Sequence, residues 1–190
     1  MNHHFSIKHE DITLRPLTSD DIELLRKWRN DKNNTKYLRK IDYIEPDAQI
    51  RWFNDYLDDP SSIIFAIVDN KIVKGVVGSV SIYDIKGDVA EIGRIMIGDE
   101  RAHHRNFGRR AMILAMMVGF EKLNVKRYHA SVHENNAVAY NIYMSIGFSV
   151  KGSHLFDDGG KELDIEINRE DVNTNYIGNM KVTIQEYDQH

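Results

Sequence analysis

The residues that most limit what this chain can fold into are Ala111–Val118, AMILAMMV, an uncharged apolar run of eight. A run that length is far short of the ~20 residues a membrane-crossing helix needs. It predicts a buried core helix over about Gly108–Leu123. What precedes it is opposite in character: His103-His104-Arg105-Asn106-Phe107-Gly108-Arg109-Arg110 is polar and basic. A helix start carries the positive ends of its amide dipoles and ordinarily attracts acidic side chains. Arg105, Arg109 and Arg110 are unfavourable there unless an anion sits among them. Free N–H groups at a helix start, a bend with one glycine and flanking guanidiniums together make a phosphate site.

Around this helix the chain alternates between the two hydrophobic periods. ITLRPL (12–17) reads as a strand. SDDIELLRKWRND follows as a helix, with Asp20 as cap, Glu23 at the capping-box position, and Ile22, Leu25 and Trp28 or Arg29 on one face. Residues 31–44 are polar and irregular. A second helix begins near Pro46, with Ile50, Phe53 and Leu57 at helical spacing. SIIFAIVD, VKGVVGSVSIYDI and VAEIGRIMIG are three strands joined by turns at 69–71 and 86–88, an antiparallel meander. After the buried helix come a strand at 126–133, a helix started by Asn136 and stopped by Gly147, and a closing hairpin. The order β α α β β β α β α β β predicts a mixed α+β domain over residues 1–170, with a polar tail at 171–190 in which KVTIQ is either an edge strand or disordered.

Composition narrows the classes. Net charge is −4, which argues against a nucleic-acid surface. The chain has no cysteine, so a disulfide framework, a cysteine-ligated zinc and a cysteine nucleophile are excluded. Adjacent His103 and His104 do not converge on one ion, and no metal is expected. The N-terminal segment lacks an apolar core of the signal-peptide kind, so the expectation is a cytoplasmic protein without a membrane partner.

Two windows resemble the GNAT superfamily of Gcn5-related N-acetyltransferases, a resemblance covering roughly residues 10–169. The family's R/Q-x-x-G-x-G/A turn falls on His103–Gly108. Its last glycine is Gly108, while His103 and Asn106 stand where the family has Arg/Gln and Gly. Asn enters the left-handed region more readily than other non-glycine residues. The second window, N-x-x-A-x-x-x-Y-x-x-x-G-F, is matched by Asn136, Ala139, Tyr143, Gly147 and Phe148. WRND at 28–31, followed by Tyr37, resembles the first-helix segment of a subgroup that acetylates UDP-linked amino sugars, with ribosomal-protein N-terminal and spermidine acetyltransferases as near relatives.

The resemblance implies the GNAT fold: a central, mostly antiparallel sheet with splayed fourth and fifth strands, flanked by helices. It implies acetyl-CoA as cosubstrate. The pyrophosphate would lie on the backbone of His103, His104, Arg105, Asn106, Phe107, Gly108, Arg109 and Arg110, with the arginines adding charge-assisted contacts. The pantetheine would run beside Ile95, Met96 and Ile97 like an added strand, next to Asn136 and Tyr143. The amide of Met96 or Ile97 is the implied oxyanion donor, and Tyr143 the implied acid for the thiolate, with Tyr140 a weaker rival. For the base, Glu91 on the central strand comes first, then His133, which shares a strand face with His129.

Trp28, Arg29, Asn30, Tyr37 and Arg39 are the candidate acceptor residues: the indole offers a flat face, the arginines could meet a diphosphate, and the basic balance of 29–44 disfavours a polycation. The expected function is direct acetyl transfer in a ternary complex to a primary amine of a small molecule, a nucleotide-linked amino sugar. The alternatives are a protein N-terminal or polyamine acetyltransferase, and a non-catalytic acyl-CoA-binding module. A homodimer is allowed.

Overall fold

A computed structural model describes residues 2–35, 42–155, 160–177 and 182–187. Along the chain run β1 (Phe5–His9), β2 (Ile12–Pro16), α1 (Ile22–Asn30), α2 (Pro46–Leu57), β3 (Ile63–Asp69), β4 (Gly75–Lys86) and β5 (Val89–Ile97). They are followed by α3 (Phe107–Lys122), β6 (Arg127–His133), α4 (Ala137–Ile146), β7 (Ser149–Leu155), β8 (Lys161–Asn168) and β9 (Thr183–Glu186). The described strands form one sheet in the order β7-β8-β6-β5-β4-β3-β2-β1-β9. Every neighbouring pair is antiparallel except β5 with β6, which is parallel. The mixed α+β architecture is as expected. The splayed pair is β5 and β6, one number later than expected, because β1 precedes the first strand read from the sequence.

The apolar run behaves as its composition requires. Ala111–Met116 and Val118 are all 0 % exposed. They pack with Ile92, Ile82, Phe65, Leu14 and Ile7 on one sheet face. Each large apolar side chain buried there contributes about 1.5–3 kcal/mol. A second, smaller core on the opposite face joins Leu25 and Trp28 of α1, Phe53 and Tyr56 of α2, and Ile64, Ala66 and Met96 of the sheet. β5 therefore serves two cores, and a bulge lets it do so. Between the pairs Ser79–Met96 and Ser81–Gly93, β5 carries one residue more than β4. Arg94 takes φ 47° there, which absorbs the extra residue as bulges do.

Two local expectations are corrected, and one left open is decided. The cap of α1 is Asp21, not Asp20, and its carboxylate serves Arg15 and Thr18 instead of the helix start. The inner face of α2 is Gln49, Phe53 and Tyr56, with Ile50 51 % exposed; helical spacing alone could not set the rotation of that stripe. The edge strand at KVTIQ forms as β9, pairing with β1.

Candidate active site

α3 begins where Asn106 turns left-handed at φ 58°. The first bond within the helix runs from the Arg110 N–H to the Asn106 carbonyl, 3.0 Å. The N–H groups of Phe107, Gly108 and Arg109 consequently have no acceptor inside the helix. The atoms nearest to a Cβ on Gly108 would be those of Ile142, Ile95 and Ile97, at 3.7–3.9 Å, so packing inside the protein does not demand glycine there.

The three arginines of this turn do different things, and the expectation for two is corrected. Arg105 binds Asp69 at 2.5 Å and Asp11 at 2.9 Å. Arg110 binds Asp11 at 2.7 Å and the His9 carbonyl at 3.1 Å. Both guanidiniums lie over the ring of Phe107, which is 1 % exposed. These side chains answer to carboxylates on the β1–β2 and β3–β4 turns and not to an external anion. Burial pushes the Asp69 carboxyl up, but Arg105 and the N–H groups of Lys71, Ile72 and Val73 outweigh it and hold it well below the usual range. Arg109 is the one of the three without a carboxylate: its Nε donates to Ser145 Oγ at 2.7 Å, and its guanidinium lies 4.2 Å from the Tyr176 ring centroid.

β5 and β6 pair only at Val89–Arg127, Ala90–Tyr128 and Glu91–His129. Past Glu91 they diverge, and the β6-facing backbone of Ile92–Ile97 loses its ladder. Two of the orphaned carbonyls take side chains: Ile92 accepts from the Tyr143 hydroxyl at 3.3 Å, and Ile97 bonds His103 Nε2 at 3.0 Å. An extended chain of amides suits such an edge. Asn136 caps α4, its Oδ1 accepting the Ala139 N–H at 3.1 Å.

At the point of the wedge three groups converge. A Cβ on Gly93 would lie 3.3 Å from the Tyr83 hydroxyl and 3.4 Å from that of Tyr143. Glu91 is the cross-strand partner of Tyr83. Burial, then the Glu91 charge, pushes both phenols above their ordinary range, so each is a neutral donor. His129 faces Glu166 at 3.5 Å. His133 lies four residues further along β6, about 13 Å at strand rise, where its Nδ1 accepts the Asn135 N–H at 3.1 Å. Glu91 thus stands two residues from Gly93, which the Tyr143 hydroxyl approaches, while His133 lies past the last β5–β6 pair.

On the α1 side, Trp28 is 9 % exposed and packed so closely on Gly98 that a Cβ there would lie 2.0 Å from the indole. It is a core residue and not an open platform. Asn30 is also committed: its amide brackets Ile44, donating to the carbonyl at 3.0 Å and accepting the N–H at 2.9 Å. Arg29 stays beside the site with its Nε buried and without a partner. Tyr37 and Arg39 lie outside the described residues. Two neighbours escape the sequence reading. Tyr83 is legible only once the β4–β5 register is known, and Arg94, its guanidinium 3.9 Å from the Tyr83 ring centroid, reaches this face only through the bulge.

Comparison with known proteins agrees with this geometry. The family model for the acetyltransferase (GNAT) domain matches residues 11–149. An uncharacterized protein of Methanocaldococcus jannaschii is 30 % identical over 142 residues, covering 72 % of this chain; the chain spans only 28 % of that protein. Spermidine N(1)-acetyltransferase of Escherichia coli strain K12 is 28 % identical over 146 residues, 77 % of each chain. The solved spermidine N-acetyltransferase of Vibrio cholerae, in complex with CoA and spermine, superposes with a TM-score of 0.76 at 22 % identity, covering 85 % of this chain and 98 % of that one; at that identity the likeness is one of fold. With the family match spanning both the α3 turn and the β5–β6 wedge, the chain belongs to the GNAT acetyltransferase family and is an N-acetyltransferase whose acyl donor is acetyl-CoA.

Proposed function

We propose that the protein transfers the acetyl group of acetyl-CoA directly to a primary amine of a nucleotide-linked amino sugar, in a ternary complex. The observation that carries the catalytic part is the convergence of Glu91, Tyr83 and Tyr143 around Gly93, where β6 leaves β5. Acetyl-CoA supplies the activated thioester; the protein supplies alignment and proton transfer. The unladdered edge at Ile95, Met96 and Ile97 accepts the pantetheine amides, and the amide of Met96 or Ile97 donates to the developing oxyanion. The free N–H groups at the start of α3, with Arg109, suit the phosphates. Glu91 takes the amine proton, directly or through a water, and Tyr143 gives its proton to the departing thiolate. A covalent cysteine relay is impossible in a chain without cysteine.

The acceptor assignment follows from charge. A polyamine site needs carboxylates, whereas Arg29 lies half-buried beside the wedge with no carboxylate bound. Cations there repel a polycation and suit an anionic nucleotide-sugar. A competition assay tests it: a UDP- or dTDP-linked amino sugar and spermidine at matched concentration, with acetylated products resolved by mass. Preference for the sugar is expected. Faster acetylation of spermidine, or of a peptide N-terminus, overturns the acceptor assignment.

A further inference from the structure

Four buried or half-buried arginines pair with carboxylates, Arg15 with Asp21, Arg26 with Glu23, Arg105 with Asp69 and Arg110 with Asp11, and Arg109 donates to Ser145. Arg29 and Arg94 break this habit. Among the described residues neither makes an ion pair or a hydrogen bond. Arg29 Nε is sealed from solvent with nothing to donate to, a costly state for a guanidinium. Arg94 is held in place without being neutralised. The bulge fixes its backbone at φ 47°, and its guanidinium rests over Tyr83. Asp59, a carboxylate that feels its charge, is bound to Ser61 through both the N–H and the hydroxyl. The two guanidiniums also feel each other: burial, then the charge of Arg94, lowers the pKa of Arg29. Trp28, the neighbour of Arg29, packs on Gly98, four residues beyond Arg94, so two like charges stand on the α1 side of β5 in a protein of net charge −4.

We propose that Arg29 and Arg94 form a two-guanidinium clamp for an anionic group on the acceptor, a phosphate or a carboxylate, set so that the amine of the same molecule reaches Glu91 past Tyr83. Guanidiniums suit this work because their planar forks match both oxyanions in two-point contacts. Arg94 is the specificity residue, its position fixed by the bulge. The clamp deepens the acceptor assignment, resting on the acetyl-transfer chemistry above, and it names the group recognised rather than the sugar.

The test has a binding arm and a kinetic arm. UDP is titrated into the CoA-loaded protein by calorimetry, with R94Q, R29Q and R94K beside the wild type. Acetylation rates are compared for a UDP-linked amino sugar, the same amino sugar without phosphate, and an amine bearing a carboxylate. The clamp predicts that R94Q and R29Q weaken UDP binding about tenfold or more, and lower the preference for the charged over the uncharged sugar by a similar factor. R94K should recover part of both, and KM for acetyl-CoA should stay within about twofold. Arg94 is exposed, so its variants remain informative if R29Q fails to fold. Should the wild type ignore UDP yet favour the carboxylate-bearing amine in an Arg94-dependent way, the clamp stands and the nucleotide-sugar assignment falls. Equal losses on charged and uncharged acceptors, no loss in R94Q, or a wild type indifferent to anionic acceptors each overturn the clamp.

Discussion

The hydroxyl of Tyr143 donates to the carbonyl of Ile92 at 3.3 Å, on the first residue of β5 past the last β5–β6 pair. A helix of the second GNAT window thus touches the sheet at the very point where the sheet opens. The bond is long, the ring is wedged edge-on against Phe148 at 5.0 Å, and the phenol keeps its proton because burial raises its pKa. In the mechanism proposed above it is the donor that would turn from this carbonyl to the departing thiolate.

Tyr143→Phe should therefore lower kcat about 10²-fold, the low end of general acid catalysis, with KM for acetyl-CoA little changed. The loss belongs to the transition state, since negative charge appears on sulfur only as the thioester breaks. Steady-state kinetics with either substrate varied checks it. A rate within twofold of wild type would make Tyr143 a packing residue.

Gly108→Val should weaken acetyl-CoA binding about tenfold, roughly 1.4 kcal/mol, while Gly108→Ala leaves the melting temperature near that of wild type. The Ala methyl has ordinary contacts in the protein, whereas the branched side chain would crowd the amides proposed to meet the phosphates. Calorimetry on both variants separates access from folding.

Asp69→Ala should destabilise the fold by about 3–5 kcal/mol, the usual result of stripping one partner from a buried ion pair. It removes the carboxylate of Arg105 and the acceptor of three N–H groups on the β3–β4 turn. Because the folded carboxyl is depressed, its contribution is complete above the ordinary carboxylate range and is lost as pH falls through its folded value. Urea unfolding as a function of pH should show a shallower decline below about pH 4 in the variant than in wild type.

His3 sets a second, milder limit. Its ring lies 4.6 Å from the ring of Phe65, with Nε2 bonded to the Ile64 carbonyl at 3.1 Å. Burial lowers its pKa from 6.5 to about 4. The unfolded chain takes up this proton first, so the stabilisation is complete above pH 6.5 and falls away between pH 6.5 and about 4. His3→Gln should flatten the unfolding midpoint across that window.

Much of this was legible from residues alone, and the failures share a cause. The buried helix, the meander, the Asn136 cap and the Gly147 stop follow from local pattern and capping chemistry, and the structure has them where they are expected. Local pattern also gives Asn106 its left-handed turn. It cannot say which carboxylate meets which guanidinium. Arg105 and Arg110 find Asp11 and Asp69 across some 36–99 residues of chain, so a basic turn that reads as an anion site is largely neutralised from within. Trp28 fails likewise: an aromatic near a helix end looks like a platform until Gly98, on a distant strand, proves to be its packing partner.

The bulge at Arg94 makes the spacing of β5 a matter of parity. Ala90 and Ile92 before it and Ile95 and Ile97 after it all belong to the α3 core, while Met96 packs with α1 and α2. Deleting Arg94 would leave an unbroken strand in which Ile95 and Ile97 still face α3 and Met96 still faces α1 and α2, and only the bulge and its guanidinium would be lost. Flattening the bulge with Arg94 kept would instead exchange the two sides beyond Gly93. Tolerated changes of length in this stretch should be those that a bulge absorbs. A sequence alignment that slips by one here would trade donor-facing for acceptor-facing residues without breaking a single hydrophobic position.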